Sequence, residues 1–206
     1  MMNATEPGIQ KKNVCGLVIC GGESLRMGTD KSLLNYFGKP QRYRLSDMLG
    51  KYCDRVIISC NQSQASSMQD GYEYMIDDPE FDNNGPLTGL LTAIKNLPGA
   101  DFLVVGCDYP FLDEKDFAEF LSFAQDHEGP AAFYNEFDNV YEPVLAYYPQ
   151  QSGIELFSLF TEGDISLQHY LQLKKATKYL PANKIALRSV DTQRDFEAAM
   201  LAINLY

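Results

Sequence analysis

The sequence predicts an α/β fold with a mostly parallel sheet, and two observations carry that expectation. Short apolar runs recur along the 206 residues, separated by segments whose apolar residues repeat at helical spacing. That alternation is the pattern of strands joined by covering helices. The composition, 45% hydrophobic and 22% charged, is that of a globular chain long enough to bury a substantial core.

Taken in order, residues 1–13 (MMNATEPGIQKKN) show no periodicity and read as a frayed start, leaving 14–206 as one domain. Val14–Cys20 is the first strand, stopping at Gly21-Gly22. Leu45, Met48, Leu49 and Tyr52 then mark a helix. Arg55–Cys60 and Tyr74–Ile76 are strands, with the polar QSQASS stretch between them as a surface loop. Leu87, Leu90, Leu91 and Ile94 form the next helical stripe, Phe102–Cys107 the next strand, and Phe117, Phe120, Leu121 and Ala124 a further helix. Ala131–Tyr134 and Val144–Tyr148 read as strands. Two helices follow, on Ile154, Phe157, Leu159 and Phe160 and on Leu167, Tyr170 and Leu171. The last helix opens at Thr192, with Asp195 three residues on as its capping partner and Phe196, Ala199, Met200 and Ile203 as its apolar face. Ligands of open parallel sheets bind beyond the carboxyl ends of the strands. That rule places Gly21-Gly22, Ser59, Asn61, Asp78, Asp108 and Asp191 on one rim.

A formal charge of −11 speaks against nucleic acid as a partner, because phosphate-backbone affinity needs clustered cations. Residues 26–44 invert the balance locally, with Arg26, Lys31, Lys39, Arg42 and Arg44 against the single acid Asp30. Such a patch draws an anionic substrate to an acidic protein; for Arg42 and Arg44 a solvated helix face is the alternative. Five cysteines without a C-x-x-C pair read as reduced core thiols, and His127 and His169 as surface residues without metal-ligand spacing. No apolar run approaches about 18 residues, and the first residues lack a signal-peptide core. The expectation is a cytoplasmic protein with no membrane partner.

The segment LVICGGESLRMGTDKSLL (17–34) carries the most chemistry. A buried strand ending at paired glycines lets backbone N–H groups approach a ligand, and Arg26 and Lys31 add cationic donors suited to polyphosphate. The spelling is neither the P-loop, since Thr29-Asp30 separates Gly28 from Lys31, nor a G-x-G-x-x-G dinucleotide fingerprint. Asp108 stands at the tip of a buried strand before Tyr109-Pro110. It suits Mg²⁺, which commonly takes one or two carboxylates plus phosphate oxygens and water. It can also cap the helix near Asp113, although Asp113 can serve as that cap itself. Gly85-Pro86-Leu87-Thr88-Gly89 precedes an apolar helix whose N-terminus offers N–H groups to a base edge or phosphate. Asp77-Asp78-Pro79 offers either an acceptor for a base amine or a cap.

In combination these motifs resemble the molybdenum cofactor guanylyltransferases. The family's LAGG-x-S-x-RMG-x-DK-x-LL is matched by ICGGESLRMGTDKSLL, GPL-[AT]-G by Gly85–Gly89, CD-x-P by Cys107–Pro110, and EP-x-x-A-x-Y by the run from Glu142 to Tyr148. Order and spacing agree from about residue 14 to 200. The resemblance implies a Rossmann-like three-layer α/β/α sandwich of the nucleotide-diphospho-sugar transferase type. It implies GTP bound by Ile19, Cys20, Gly21 and Gly22, by Ser59 and Asp78, and by Gly85, Pro86, Leu87 and Gly89. Arg26 and Lys31 would hold the phosphates, and Asp108 would bind Mg²⁺ and nucleotide. The implied reaction transfers GMP from GTP to molybdopterin with release of pyrophosphate, with transient contacts to molybdoenzymes or cofactor-pathway proteins. Three departures stand out. Cys20 replaces the family's usual alanine, Ser59 stands where asparagine is common, and Ser189-Val190-Asp191-Thr192-Gln193 replaces N-x-N-TP. Asp191 therefore reads either as a second metal or substrate contact or as a cap of the last helix. Two other functions share the first loop: nucleotidyl transfer with CTP or to another phosphorylated acceptor, and a nucleotide-binding regulator without catalysis.

Overall fold

A computed structural model describes residues 13–20, 30–82, 84–163 and 166–204. The predicted Gly21, Gly22 and Arg26 contacts, like nearly all of the expected frayed start, lie outside the described residues. The elements run β1 (Val14–Ile19), α1 (Gln41–Leu49), β2 (Arg55–Cys60), α2 (Gln62–Ala65), β3 (Tyr74–Ile76), α3 (Pro86–Asn96), β4 (Asp101–Gly106) and α4 (Glu114–Gln125). They continue β5 (Ala131–Asn135), β6 (Val140–Tyr148), α5 (Gln150–Thr161), α6 (Leu167–Leu173), β7 (Thr177–Tyr179) and α7 (Gln193–Ile203). Short 3₁₀ turns occupy Lys31–Leu33 and Pro79–Phe81.

Among the described residues seven strands form one sheet in the order β3-β2-β1-β4-β6-β5-β7, with β6 alone antiparallel to its neighbours. The expected mostly parallel sheet is therefore present. It gains β7, which at three residues is too short for its alternation to be read, and β6 begins at Val140 rather than Val144. The central strands β1 and β4 are apolar and buried on both faces, as parallel strands must be when helices cover each side. Val18, Leu103, Val105, Phe133 and Tyr147 pack towards α1 and α4. Leu17, Phe102, Val104, Tyr134 and Tyr148 pack towards α3, α5 and α6. A smaller cluster of Leu34, Tyr36, Phe111, Val190 and Ala199 seats α7 beside the end of β4.

Arg42 and Arg44 do not form a solvated face. Arg42 is fully buried and donates to the Ser67 carbonyl (2.5 Å) and the Tyr43 hydroxyl (2.8 Å). Arg44 donates to the Pro110 and Leu112 carbonyls (3.3 and 2.8 Å), and Gln41 to the Tyr109 carbonyl (3.3 Å). Cationic donors here satisfy loop carbonyls that burial would otherwise leave without partners. In doing so α1 pins the loop that follows Asp108.

Candidate active site

The carboxyl ends of β1 to β4 form one continuous rim, because the ladder runs one residue past the strands. Cys20 N donates to Ser59 O (3.0 Å), Cys107 N to Ile19 O (3.3 Å) and Asp77 N to Cys60 O (2.9 Å). Ile19, Cys20, Ser59 and Asp108 thus come together as expected. Cys20 also meets Cys107 thiol to thiol at 3.4 Å, so the thiol that replaces alanine has a specific neighbour. Cys15, Cys20, Cys53, Cys60 and Cys107 are all free, while His127 and His169 are exposed.

Asp108 owes its position to three features. Gly106 leaves room for it, since a Cβ there would lie 2.6 Å from Asp108 Oδ1. Val190 N–H donates to the Asp108 carbonyl at 2.8 Å. Asp113, with Asp116, supplies the capping box of α4, so Asp108 is not that cap. The Asp108 carboxylate has no side-chain hydrogen bond or ion pair among the described residues. Burial pushes it up to about 6; Asp191 adds to the rise and Lys31 opposes it.

Lys31 and Asp191, 160 positions apart, form an ion pair with Nζ and Oδ1 at 2.7 Å, while Ser189 donates to Asp191 Oδ2 at 2.9 Å. Burial raises the Asp191 carboxyl, but its hydrogen bonds from Lys31 and Ser189 outweigh this and hold it below the usual range. The α7 capping box belongs to Thr192 and Asp195, so Asp191 is the partner of Lys31 rather than the helix cap. Tyr109 donates to Glu142 Oε2 at 2.7 Å, which links the strand-tip loop to β6.

No group of three or more His, Cys, Asp or Glu side chains that could hold a metal occurs among the described residues. A divalent ion would instead use Asp108 with phosphate oxygens and water, a donor set that fits Mg²⁺. Asp191 has both oxygens engaged and fits that role less well.

On the β2–β3 side, Ser59 donates to Asp77 Oδ1 at 2.5 Å, and a Cβ on Gly89 would overlap the Ser59 hydroxyl. Gly89 is therefore the residue that lets α3 approach β2. Gly85 at φ +57° gives α3 its sharp entry, with Pro86 at the first helical position and Leu87 buried beneath. Asp78 is occupied differently: it accepts from Glu80 N–H (3.0 Å) and pairs with Lys95 (2.8 Å). The carboxylate that reaches Ser59 is Asp77, a contact the sequence reading did not assign. Burial raises Asp77 to about 6, against the hydrogen bond from Ser59. Asp77 also lines a recess of about 350 Å³ with Asn61, Gln62, Ser63, Ile76, Pro79 and Asp82.

Gln64 was equally invisible in the sequence, inside an expected surface loop. Its Nε2 donates to the Cys20 carbonyl (3.2 Å) and to Asp30 Oδ2 (3.0 Å), the residues on either side of positions 21–29. Its Oε1 accepts from Asn61 N–H, which completes a capping box.

A mostly parallel sheet whose rim gathers a lysine–aspartate pair, a strand-tip carboxylate and a glycine-fronted helix suits a phosphate-bearing ligand, and the family match makes its class that of the nucleotidyltransferases. The chain matches the MobA-like NTP transferase domain over residues 16–176 and belongs to that family. It is 28% identical over 185 residues to a molybdenum cofactor biosynthesis bifunctional protein of Synechocystis sp., covering 88% of this chain and 52% of that one. The chain thus spans about half the length of that relative. A molybdenum cofactor guanylyltransferase of Pseudomonas entomophila is 28% identical over 156 residues, covering 75% and 80% of the two chains. The crystal structure of molybdopterin-guanine dinucleotide biosynthesis protein A from Archaeoglobus fulgidus shares the fold. Its TM-score is 0.73 at 19% identity, over 93% of this chain and 100% of that one.

Proposed function

We propose that this nucleotidyltransferase transfers GMP from GTP to the terminal phosphate of molybdopterin. An acceptor phosphate oxygen attacks the α-phosphorus, a new P–O bond forms, and the bond to the bridging oxygen breaks with pyrophosphate leaving on that electron pair. The acceptor is already ionised, so no histidine or serine base is required. Catalysis then rests on alignment and on neutralising phosphate charge. The observation that carries the reading is the assembly of Lys31, Asp191 and Asp108 at the rim.

In this reading the nucleoside lies over the β2–β3 side, where Ser59, Asp77 and the Gly85–Gly89 entry to α3 converge, with Asp78 at its margin. Asp77 offers a carboxylate acceptor, the complement of guanine's N–H donors. Lys31 would hold the phosphates, and the family resemblance assigns the same role to Arg26, which lies outside the described residues. Mg²⁺, held by Asp108 and phosphate oxygens, would supply charge neutralisation when bound. A single domain over 14–206, acting in the cytoplasm and in passing contact with cofactor-pathway proteins, completes the proposal. No helix among the described residues is long and apolar enough to cross a membrane.

The test is a thermal-shift panel of GTP, CTP, ATP and UTP with and without Mg²⁺, followed by pyrophosphate release in the presence of molybdopterin. Selective stabilisation by GTP and release of pyrophosphate are expected. A preference for CTP transfers the reading to cytidylyl transfer, and nucleotide binding without turnover makes the protein a sensor.

A further inference from the structure

Among the described residues, four buried side-chain polar atoms lack a hydrogen-bond partner: those of Ser32, Tyr36, Arg42 (Nε only) and Ser152. Of these, Tyr36 is packed against the wall that holds Asp108. Its ring lies edge-on to Phe196, with centroids 5.4 Å apart, and shares an apolar cluster with Leu34, Phe111 and Val190. Val190 is the residue whose N–H anchors the Asp108 carbonyl. None of these ring contacts uses the hydroxyl.

A buried hydroxyl without a partner destabilises the fold, and phenylalanine would fill the same space without that cost. The residue is 4% exposed, so bulk water does not satisfy the group either. The hydroxyl therefore suits a partner that arrives with the substrate. The cluster with Phe111 and Val190 seats the phenol beside the loop that follows β4, and Val190 N–H bonds the Asp108 carbonyl there. Burial holds the proton on that oxygen well above the usual range, so towards an anion Tyr36 acts as a donor.

We propose that Tyr36 contacts the substrate, its hydroxyl donating a hydrogen bond to a phosphate oxygen held beside Asp108. The proposal rests on the nucleotidyl-transfer reading and adds to it a neutral donor on the Asp108 side of the rim. A donor aimed at charge developing on a phosphate acts most strongly in such a water-poor site.

Tyr36→Phe, combined with ¹³Cζ-tyrosine NMR of the whole chain, tests this. Of the 13 tyrosines, the resonance that disappears in Y36F is that of Tyr36. Y36F is expected to fold with an equal or higher Tm and to lose about ten- to a hundredfold in kcat/KM. In the wild-type protein the Tyr36 resonance is expected to shift when GTP and Mg²⁺ are added. Wild-type protein that turns over GTP with an unmoved Tyr36 resonance, together with full-rate Y36F, overturns the proposal and leaves the transfer reading standing. Wild-type protein that neither binds nor turns over a nucleotide overturns both. A Y36F chain that fails to fold also overturns the proposal, because it gives the hydroxyl a structural partner.

Discussion

The two sides of the rim are built on opposite terms. At β2–β3 the polar groups satisfy one another: Ser59 bonds Asp77, Gly89 closes over both, and Asp78 is tied to Lys95 and Glu80. At β4 the Asp108 carboxylate and the Tyr36 hydroxyl have no side-chain partner among the described residues, although the backbone around them is pinned by Arg44, Gln41 and Val190. The β2–β3 side is a scaffold of paired groups on which the nucleoside would rest; the β4 side holds reactive groups in position on a rigid frame. Groups kept without partners lower stability, and function is the usual reason for their retention.

The largest effect that can break this comparison is at Asp108. Asp108→Asn is expected to lower nucleotidyl transfer by about a thousandfold or more while leaving the fold intact. Because burial raises the Asp108 carboxyl to about 6, its ionisation at neutral pH opposes folding, and the neutral variant gains stability in metal-free buffer. Chemical denaturation with a chelator present, read beside pyrophosphate release, checks both halves. A destabilised variant with wild-type turnover would reverse the assignment of the two sides.

Gly89→Ala addresses the scaffold side and should act in the opposite way. The added methyl meets the Ser59 hydroxyl and Cβ at the β2–α3 contact, and the short, buried Ser59 side chain, held by Asp77, has little room to give way. Overpacking of this kind costs about 1–3 kcal/mol, and the loss should appear as a lower Tm in the ligand-free protein. If stability is unchanged while nucleotide binding fails, Gly89 serves the ligand and not the scaffold.

The two sides also differed in how legible they were from sequence. The strands were readable because a parallel sheet buried on both faces leaves unbroken apolar runs, and Asp108 because it ends one of them. Glycines 85 and 89 carried a local signal for the same reason, as the chain admits little else where φ is positive or helices touch. The pairing of Lys31 with Asp191 was not readable, since 160 positions separate them and only the fold brings α7 beside β4. Arg42 and Arg44 read as surface cations because composition cannot show that loop carbonyls lie within their reach. Gln64 and Asp77 sit in segments without periodicity, and their roles appear only through their partners.

The smallest expected effect, Asp77→Asn, separates charge from hydrogen bonding on the scaffold side. The amide oxygen still accepts from Ser59, so the contact survives while the buried charge is removed. Burial pushes Asp77 up to about 6, above the usual aspartate range, so the folded state binds the proton more tightly. The stability this confers is fully present below about pH 4 and is lost as pH rises through about 6. In the wild-type protein this contribution should fall by about 2 kcal/mol across that window, and in D77N that fall should be absent. Urea unfolding at pH 4.5 and at pH 7.5, compared between the two proteins, measures the difference. If D77N keeps the wild-type slope, the proton is taken up elsewhere on the rim, and Asp108 on the reactive side becomes the group that sets the protein's pH dependence.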